Sequence, residues 1–366
     1  MRVAIVGGGQ LARMIAMAGM AMGVRCSFLV EKDESISCVD GLGPLVYRDP
    51  AWGAEEILAA LGHPEVVTIE RESVDVGLLR EIATRCPVHP QPEAVATLQH
   101  RQKEKDLVAG LGLATAPYQA ASDAAEIAAA VEALGLPLVV KACRDGYDGK
   151  GQYRLSTHEE VAEFCDAHAG GEWLIEKKIP FDREVSLLGA RSATGEVAFY
   201  PLTENHHHEG ILVTSMAPAA GISEELAQRA EDYLEALMKG LDYVGVIAME
   251  CFLVGDELLV NELAPRVHNS GHWTLRGNAS SQFENHLRAI LGMPLGNTDL
   301  AGCAGIVNIL GDYNREATLR RLPARASLVD YNKTAAPRRK LGHVLVTGSS
   351  HDQLSRDLQS VQENLA

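Results

Sequence analysis

The strongest constraint on this chain lies in its first hundred residues. An apolar run from Val3 to Val6 breaks off at Gly7-Gly8-Gly9, and helical character begins at Gln10. Further apolar runs follow at Cys26 to Val30 and Val66 to Ile69, with a second helix opening near Ala54. Strands separated by helix-length connections read as βαβ units, which require a parallel sheet covered on both faces. Pro87, Pro90 and Pro92 then punctuate the chain and mark a boundary near residue 95. With 366 residues, and about 150 residues per domain, two to three domains are expected.

The next segment is helical from Glu93 to Leu111 and carries Arg101, Lys103 and Lys105. Ser122 and Asp123 start a helix that runs through Leu134 and stops at Gly135. A strand at Leu138 to Lys141 leads into a glycine-rich loop over 144–152, and another strand spans Trp173 to Lys177. Strands at Asp182 to Ala190 and Val197 to Leu202 precede a helix from Glu224 to Leu241. Two strands, around Ile247 to Leu253 and Glu257 to Asn261, flank a hairpin turn at Gly255-Asp256. After Gly302 come short strands at Ile306 to Ile309, Ala326 to Tyr331 and His343 to Thr347. Leu354, Leu358, Val361 and Leu365 recur at helical spacing, predicting a terminal amphipathic helix. The expected fold class is α/β (α+β overall).

Lys and Arg number 33 against 49 for Asp and Glu, a net charge of -16. Phosphate-backbone binding draws on Lys and Arg, so a general nucleic-acid or anionic-membrane role is disfavoured. The seven cysteines form no CxxC pair, which removes a disulfide framework and a thiolate zinc site. Arg2 followed by apolar residues and the Met14 to Val24 stretch imitates a leader, but Gly7-Gly8-Gly9 and Arg13 interrupt any apolar core. No apolar run approaches the ~20 residues of a membrane helix. A cytoplasmic protein is expected, with no membrane or nucleic-acid partner.

Gly7-x-Gly9-x-x-Ala12 after a strand, with Glu31 ending the next strand, matches the dinucleotide fingerprint. The same turn holds any small phosphorylated ligand at the helix N-terminus, or simply turns the chain. An NAD(P)-dependent oxidoreductase is therefore one reading. The middle of the chain favours phosphoryl transfer. Lys141 ends an apolar strand and is followed by Gly146-Tyr147-Asp148-Gly149-Lys150-Gly151-Gln152, whose glycines let loop amides fold over a polyphosphate.

Glu250 and Glu262 sit on the two strands of the predicted hairpin, where antiparallel pairing brings both carboxylates to one side of a cleft. Two carboxylates facing a nucleotide suit Mg²⁺, which takes phosphate oxygens and waters as its other ligands. Directly after come Arg266, with the planar fork for bicarbonate or phosphate, and the donors His268 and His272. In His206-His207-His208, strand geometry sends neighbours to opposite faces, so one ligand contact is expected rather than a metal tract.

Taken together, GGGQLARM, GYDGKGQ, FDREVS, NELAPRVHNSGH, SQFENHLRAILG and RRKLGHV resemble the ATP-grasp superfamily, in order and over nearly the whole chain. Within it they are closest to a family of carboxylating ligases of purine biosynthesis. The resemblance implies a pre-ATP-grasp domain at 1–95, an ATP-grasp domain at 96–295 with a lid at about 115–177, and a small β-rich C-terminal domain at 296–366. It implies ATP- and bicarbonate-dependent carboxylation of 5-aminoimidazole ribonucleotide to N5-carboxyaminoimidazole ribonucleotide through carboxyphosphate, by a homodimer. A formate-using glycinamide ribonucleotide transformylase of the same superfamily is the nearest alternative.

Carried over by position, Arg101 and Lys141 would contact the triphosphate and Gly146 to Gln152 would form the lid loop. Tyr147, Asp148 and Lys150 of that loop are candidates at the reacting groups. Glu176-Lys177-Lys178-Ile179 resembles the adenine-reading hinge, Glu184 the ribose acid and His207 a nucleotide-site position. Glu250 and Glu262, with Asn261 beside them, match the Mg²⁺ end; Arg266 and His268 match the bicarbonate end. The ribonucleotide phosphate would meet Gly9, Gln10, Lys333, Arg338, Arg339 and Lys340. Asn332, where the family usually has Gly, and Arg71, between the acids Glu70 and Glu72, depart from the pattern.

Overall fold

The computed structural model describes residues 1–144, 146, 151–168, 170–277 and 280–365. The chain opens with β1 (Arg2–Val6), α1 (Gln10–Ala21), β2 (Arg25–Val30), β3 (Leu45–Tyr47), α2 (Ala54–Ala60), β4 (Val66–Ile69) and α3 (Val76–Ala83). Its four strands form a parallel sheet in the order β3-β2-β1-β4. Successive residues of β1 serve two cores. Val3 and Ile5 pack with Met14 and Ile15 of α1, whereas Ala4 and Val6 pack with Ile57, Leu79 and Ile82 of α2 and α3. A strand that is apolar at every position is what a sheet covered on both faces needs.

The helical stretch expected over 93–111 is two helices, α4 (Pro92–Leu98) and α5 (Arg101–Gly110). His100 leaves the helical conformation, and the Arg101 N–H donates to Cys143 O at 2.9 Å instead of back along a helix. Next come β5 (Tyr118–Ala121), α6 (Ala124–Leu134), β6 (Leu138–Ala142), β7 (Gln152–Leu155), α7 (His158–Ala167) and β8 (Trp173–Lys177). The strands make an antiparallel sheet, β5-β8-β6-β7, over a core of Ile127, Leu138, Val140, Phe164 and Ile175. As expected, α6 is bounded by Asp123, whose side chain accepts from Glu126 N, and by Gly135 at φ 66.

The rest of the chain is β9 (Arg183–Arg191), β10 (Val197–Phe199), β11 (Thr203–His208), β12 (Ile211–Ala217), α8 (Glu224–Gly240), β13 (Gly245–Val254) and β14 (Glu257–Ala264). There follow α9 (Thr274–Gly277), α10 (Gln282–Ile290), β15 (Cys303–Leu310), α11 (Arg315–Arg321), β16 (Ala326–Asp330), β17 (Lys340–Gly348) and α12 (His351–Leu365). One antiparallel sheet runs β14-β13-β9-β11-β12-β15-β17-β16, with β10 also on β9. The strand expected to reach Leu202 stops at Phe199, because Pro201 has no N–H for the ladder. Strands β15 to β17 extend the same sheet and pack with Leu354, Leu358 and Val361 of α12 in a small core.

Period-two alternation divides this sheet into two faces. Val185, Leu187, Ile247, Met249 and Leu253 lie under Leu226, Ala230, Leu234 and Leu237 of α8. Each fully buried side chain of this size contributes roughly 1.5–3 kcal/mol. The opposite face is apolar at Leu188, Ala190, Val246 and Ala248, which pack with Phe283 and Leu287, and polar at Ser186, Glu250 and Glu262. No helix among the described residues is long and apolar enough to cross a membrane.

Candidate active site

A transverse polar row on that face builds the site. Glu262 on β14 pairs with Glu250 on β13, Glu250 with Ser186 on β9, and Ser186 with Thr203 on β11. Paired residues in an antiparallel sheet share a face, so the two carboxylates expected to converge do so through backbone register. The ladder slips between Glu250 and Cys251, leaving Asn261 as an extra residue on β14. Such a bulge re-aims a side chain; Asn261 Oδ1 accepts from Lys141 Nζ at 3.1 Å.

Cations reach this row from α5 and β6. Arg101 Nη1 donates to Glu262 Oε2 at 2.8 Å, and its Nη2 to the Gly146 carbonyl at 3.1 Å. Desolvation raises the Glu262 carboxyl, but Arg101 and Lys141 pull it further down, to about 2. Lys141 also pairs with Glu176 at 2.5 Å, and Lys105, 2% exposed, takes the other Glu176 oxygen at 2.9 Å. Lys105 further donates to Thr115 Oγ1 at 2.6 Å and Val260 O at 3.0 Å, so it ties α5 to both sheets. Burial opposes the Glu176 charge, yet the two ammonium groups outweigh it and hold the carboxyl near 2. Glu104 beside Arg101 is pushed the other way by burial, up to about 8, although Arg101 opposes the rise.

His268 Nε2 lies 2.9 Å from Glu250 Oε1. Burial works against the Glu250 charge and His268 favours it; the net direction is downward. His207 is the one of the three histidines that turns inward, with Nδ1 2.9 Å from Glu184 Oε2, while His206 and His208 are exposed. Arg266 presents Nε and Nη2 together to the two oxygens of Glu72, the second at 3.0 Å. Burial alone would raise the Glu72 carboxyl, and Arg266 more than reverses it.

The N-terminal glycine turn holds a different anion from the one its pattern implies. Glu70, at the end of β4, accepts from Gly9 N at 2.9 Å and Ala12 N at 3.2 Å. A Cβ at Gly7 would sit 2.5 Å from Glu70 Cγ, and one at Gly9 2.6 Å from Glu70 Oε1. The glycines thus admit a carboxylate of the chain itself to the positive end of α1. The Gly9 N–H expected on a substrate phosphate is engaged by Glu70. Glu31, the acid of the dinucleotide pattern, pairs with Arg48 at 3.2 Å.

Gln10 and Lys333, 323 positions apart, meet at 2.5 Å. Arg339 donates to Thr334 O at 3.2 Å, Arg338 pairs with Glu209 at 2.5 Å, and Lys340 opens β17. Asn332 has φ 59, a left-handed conformation that Asn tolerates better than most residues. Arg71 pairs with Glu34 at 3.0 Å.

Tyr147, Asp148, Gly149 and Lys150 lie outside the described residues. Gly151 has φ 68 and Gln152 begins β7. At the expected hinge, the Glu176 side chain is buried on the two lysines, and Lys177 Nζ donates to Gly135 O at 2.9 Å. The Lys177 and Lys178 N–H groups donate to Pro117 O and Pro137 O, and Ile179 is half-buried. Among the described residues no group of three or more His, Cys, Asp or Glu is arranged to hold a metal ion, so a cation here would rest on Glu250 and Glu262 with nucleotide oxygens.

The ATP-grasp domain family matches residues 106–283, the ribonucleotide synthetase preATP-grasp domain residues 1–99, and the phosphoribosylaminoimidazole carboxylase C-terminal domain residues 304–357. N5-carboxyaminoimidazole ribonucleotide synthase of Vibrio cholerae serotype O1 is 38% identical over 98% of this chain and 94% of its own. The chain belongs to the N5-carboxyaminoimidazole ribonucleotide synthase family. The synthetase from Thermus thermophilus superposes with a TM-score of 0.91 at 41% identity, covering 99% of this chain and 98% of that one. The Aspergillus clavatus synthase, solved in complex with ADP and 5-aminoimidazole ribonucleotide, gives 0.89 at 27% identity, covering 100% and 98%.

Membership of the synthase family makes the chain an ATP-grasp ligase and bears out the fold class expected from its sequence. Four site residues lie beyond what the sequence alone assigned: Glu70, Glu72, Glu104 and Lys105. For the last two a signal existed, since Arg101, Glu104 and Lys105 at i, i+3 and i+4 share one helix face. The anchors Glu70 and Glu72 face partners from distant segments and carried no such signal.

Proposed function

We propose that this chain carboxylates 5-aminoimidazole ribonucleotide to N5-carboxyaminoimidazole ribonucleotide at the expense of ATP, with bicarbonate as the carbon source and carboxyphosphate as the intermediate. The observation that carries this reading is the grouping of Glu262 held by Arg101, Lys141 beside it, and His268 and Arg266 from the segment directly after β14. Bicarbonate is a poor electrophile. Attack of its oxygen on the γ-phosphorus releases ADP and gives the carboxyl carbon a phosphate leaving group. The substrate amine then takes the carboxyl group, and phosphate departs.

Lys141 and Arg101 stabilise the charge on the transferring phosphoryl group, the main task of such sites. Glu250 and Glu262 would hold Mg²⁺, which when bound neutralises phosphate charge. The Arg266 fork orients bicarbonate in line, where positioning supplies much of the rate. Gln10, Lys333 and Arg339 receive the ribonucleotide phosphate. The nucleotide base lies at the 176–179 hinge, with Glu184 and His207 at the ribose end. Closure of the 146–152 loop, with Tyr147, Asp148 and Lys150, keeps water from the intermediate. The seven free cysteines are consistent with a reducing cytoplasm, and the working assembly we propose is a homodimer.

ADP release measured with 5-aminoimidazole ribonucleotide, glycinamide ribonucleotide or neither, with and without bicarbonate, tests this reading. Stimulation only by 5-aminoimidazole ribonucleotide plus bicarbonate is expected. Stimulation by glycinamide ribonucleotide with formate would replace it.

A further inference from the structure

Beneath His268 runs a chain of hydrogen bonds among buried side chains that no catalytic step uses. Ser215 Oγ donates to Asn205 Oδ1 at 2.8 Å, and Asn205 Nδ2 donates to Ser186 Oγ at 2.9 Å. Ser186 Oγ in turn donates to Ser270 Oγ at 2.8 Å, and Ser270 Oγ lies 2.9 Å from His268 Nδ1. Ser186, Asn205, Ser215 and Ser270 are all buried. They come from β9, β11, β12 and the turn Asn269–Gly271, so one polar path joins three strands to the active-site loop.

The orientation of the Asn205 carboxamide sets the direction of this path. A carboxamide has distinct donor and acceptor ends. With Ser215 donating to its oxygen, Asn205 is the donor to Ser186, whose own proton must go to Ser270. Ser270 has then accepted once and has a proton for His268 Nδ1. An independent contact gives the same result: the Ser270 backbone N–H donates to Nδ1 at 3.3 Å. A proton on Nδ1 would oppose that N–H and leave the Ser270 hydroxyl without its acceptor. Two donors therefore converge on Nδ1, and in the neutral ring the proton resides on Nε2, the atom 2.9 Å from Glu250 Oε1.

Gln282 holds the same loop by its backbone, accepting from His268 N at 2.8 Å and donating to His268 O at 2.7 Å. The backbone clamp fixes where the ring is; the hydroxyl chain fixes which nitrogen carries hydrogen. Which nitrogen is protonated is set by the bond that the other one makes.

We propose that Asn205, Ser186 and Ser270 are positioning residues that lock His268 as the Nε2–H tautomer, so that the ring meets Glu250 or a substrate oxygen as a donor through Nε2 alone. The proposal rests on His268 serving the bicarbonate end of the reaction. Two variants probe it from opposite ends. Ser270→Ala deletes the donor to Nδ1. Asn205→Asp keeps the shape but accepts at both ends, so Ser186 donates backwards and Ser270 loses the donor that orients its proton.

The readout is the ¹⁵N–¹H spectrum of histidine-labelled full-length protein, with the His268 signals identified by their loss in His268→Asn. Because the Ser270 backbone N–H remains on Nδ1 in both variants, the expected result is one Nε2–H form in the wild type and a minor admixed Nδ1–H form in each variant. ADP release should show kcat lowered about tenfold, the lower end for loss of an outer-shell partner, with the KM for ATP within twofold. A single unchanged Nε2–H form in Asn205→Asp and in any folded Ser270→Ala protein overturns the proposal. So does a raised ATP KM with kcat intact, which a purely structural role would give. His268→Asn separates the two ideas: full activity there removes the bicarbonate-end assignment, while the spectra still judge the relay.

Discussion

The proposed nucleotide end of the site and its proposed amine-substrate end are built on opposite principles. At the nucleotide end, Glu262, Glu250 and Ser186 are neighbours because three strands pair in register, and cations from α5 and β6 close on them. At the other end, Gln10, Glu70, Glu72, Arg266 and Lys333 are joined by contacts that span 61 to 323 positions, and each is already bonded to another group of the chain. A register-built site is held in place by backbone pairing. A site assembled from distant loops holds its charged groups on internal partners, such as Glu72 on Arg266, which a ligand of similar shape must replace. The two ends should therefore respond differently to substitution.

Glu262→Gln should produce the largest effect. It removes a carboxylate from the row, frees Arg101 and leaves the backbone register intact. Loss of several kcal/mol of charge stabilisation corresponds to about 10³-fold or more in kcat for ADP release. Thermal unfolding should move little. Activity within a few-fold of wild type would remove the metal-end assignment and, with it, the contrast between the two ends.

Glu176→Gln tests the same end through stability. It strands Lys105 and Lys141 as buried cations with weakened partners, and breaking a buried pair costs about 3–5 kcal/mol. The pH dependence has a definite sign. The Glu176 carboxyl is held near 2 against an ordinary 4.5, so its contribution is complete above about 4.5 and is lost as pH falls towards 2. In the variant, denaturant midpoints should be lower at neutral pH and decline less steeply from pH 5 to 2. Equal slopes in both proteins would show that the lysines do not depend on this carboxylate.

The contrast also decides what was legible in the sequence. Two apolar runs around Gly255-Asp256 were enough to read a hairpin with Glu250 and Glu262 near the same level. The turn alone pairs Val254 with Glu257 and would set Glu250 opposite Asn261; the slip between Glu250 and Cys251 brings Glu262 across from it. The bulge at Asn261 was not legible, since a one-residue slip depends on the partner strand. The Lys105–Glu176 pair joins residues whose approach is decided by how the β5–β8 sheet sits on α5. The N-terminal turn could be read as a turn, but its occupant could not: a phosphate and the Glu70 carboxylate satisfy the same amides. Short elements without a full period, such as β3 and β7, gave no pattern to find.

At the amine end, Arg266→Lys exchanges a two-pronged donor for a point charge. One of the two charged hydrogen bonds to Glu72 or to bicarbonate is lost, worth about 1.5–3 kcal/mol. We expect the KM for bicarbonate to rise about 10- to 100-fold, with the KM for ATP unchanged. A parallel rise in both constants would mean that Arg266 supports the cleft as a whole and that the two ends are not separable.

The smallest effect belongs to the residue that the dinucleotide pattern would have made most important. Glu31 follows β2 where such a fold reads a ribose, yet here it meets Arg48 on a partly exposed surface, and Arg48 has Asp75 at 2.8 Å as a second partner. Exposed pairs of this kind contribute about 0–1 kcal/mol. Glu31→Ala should leave the ATP KM and kcat within twofold, with a barely lowered melting temperature, and titration with NADH should give no saturable fluorescence change in either protein. Tight NADH binding that disappears in the variant would restore a dinucleotide role to the turn. The geometry argues otherwise, because Glu70 already fills the space that Gly7 and Gly9 leave at the start of α1, and a pyrophosphate would have to expel a buried carboxylate to reach the same amides.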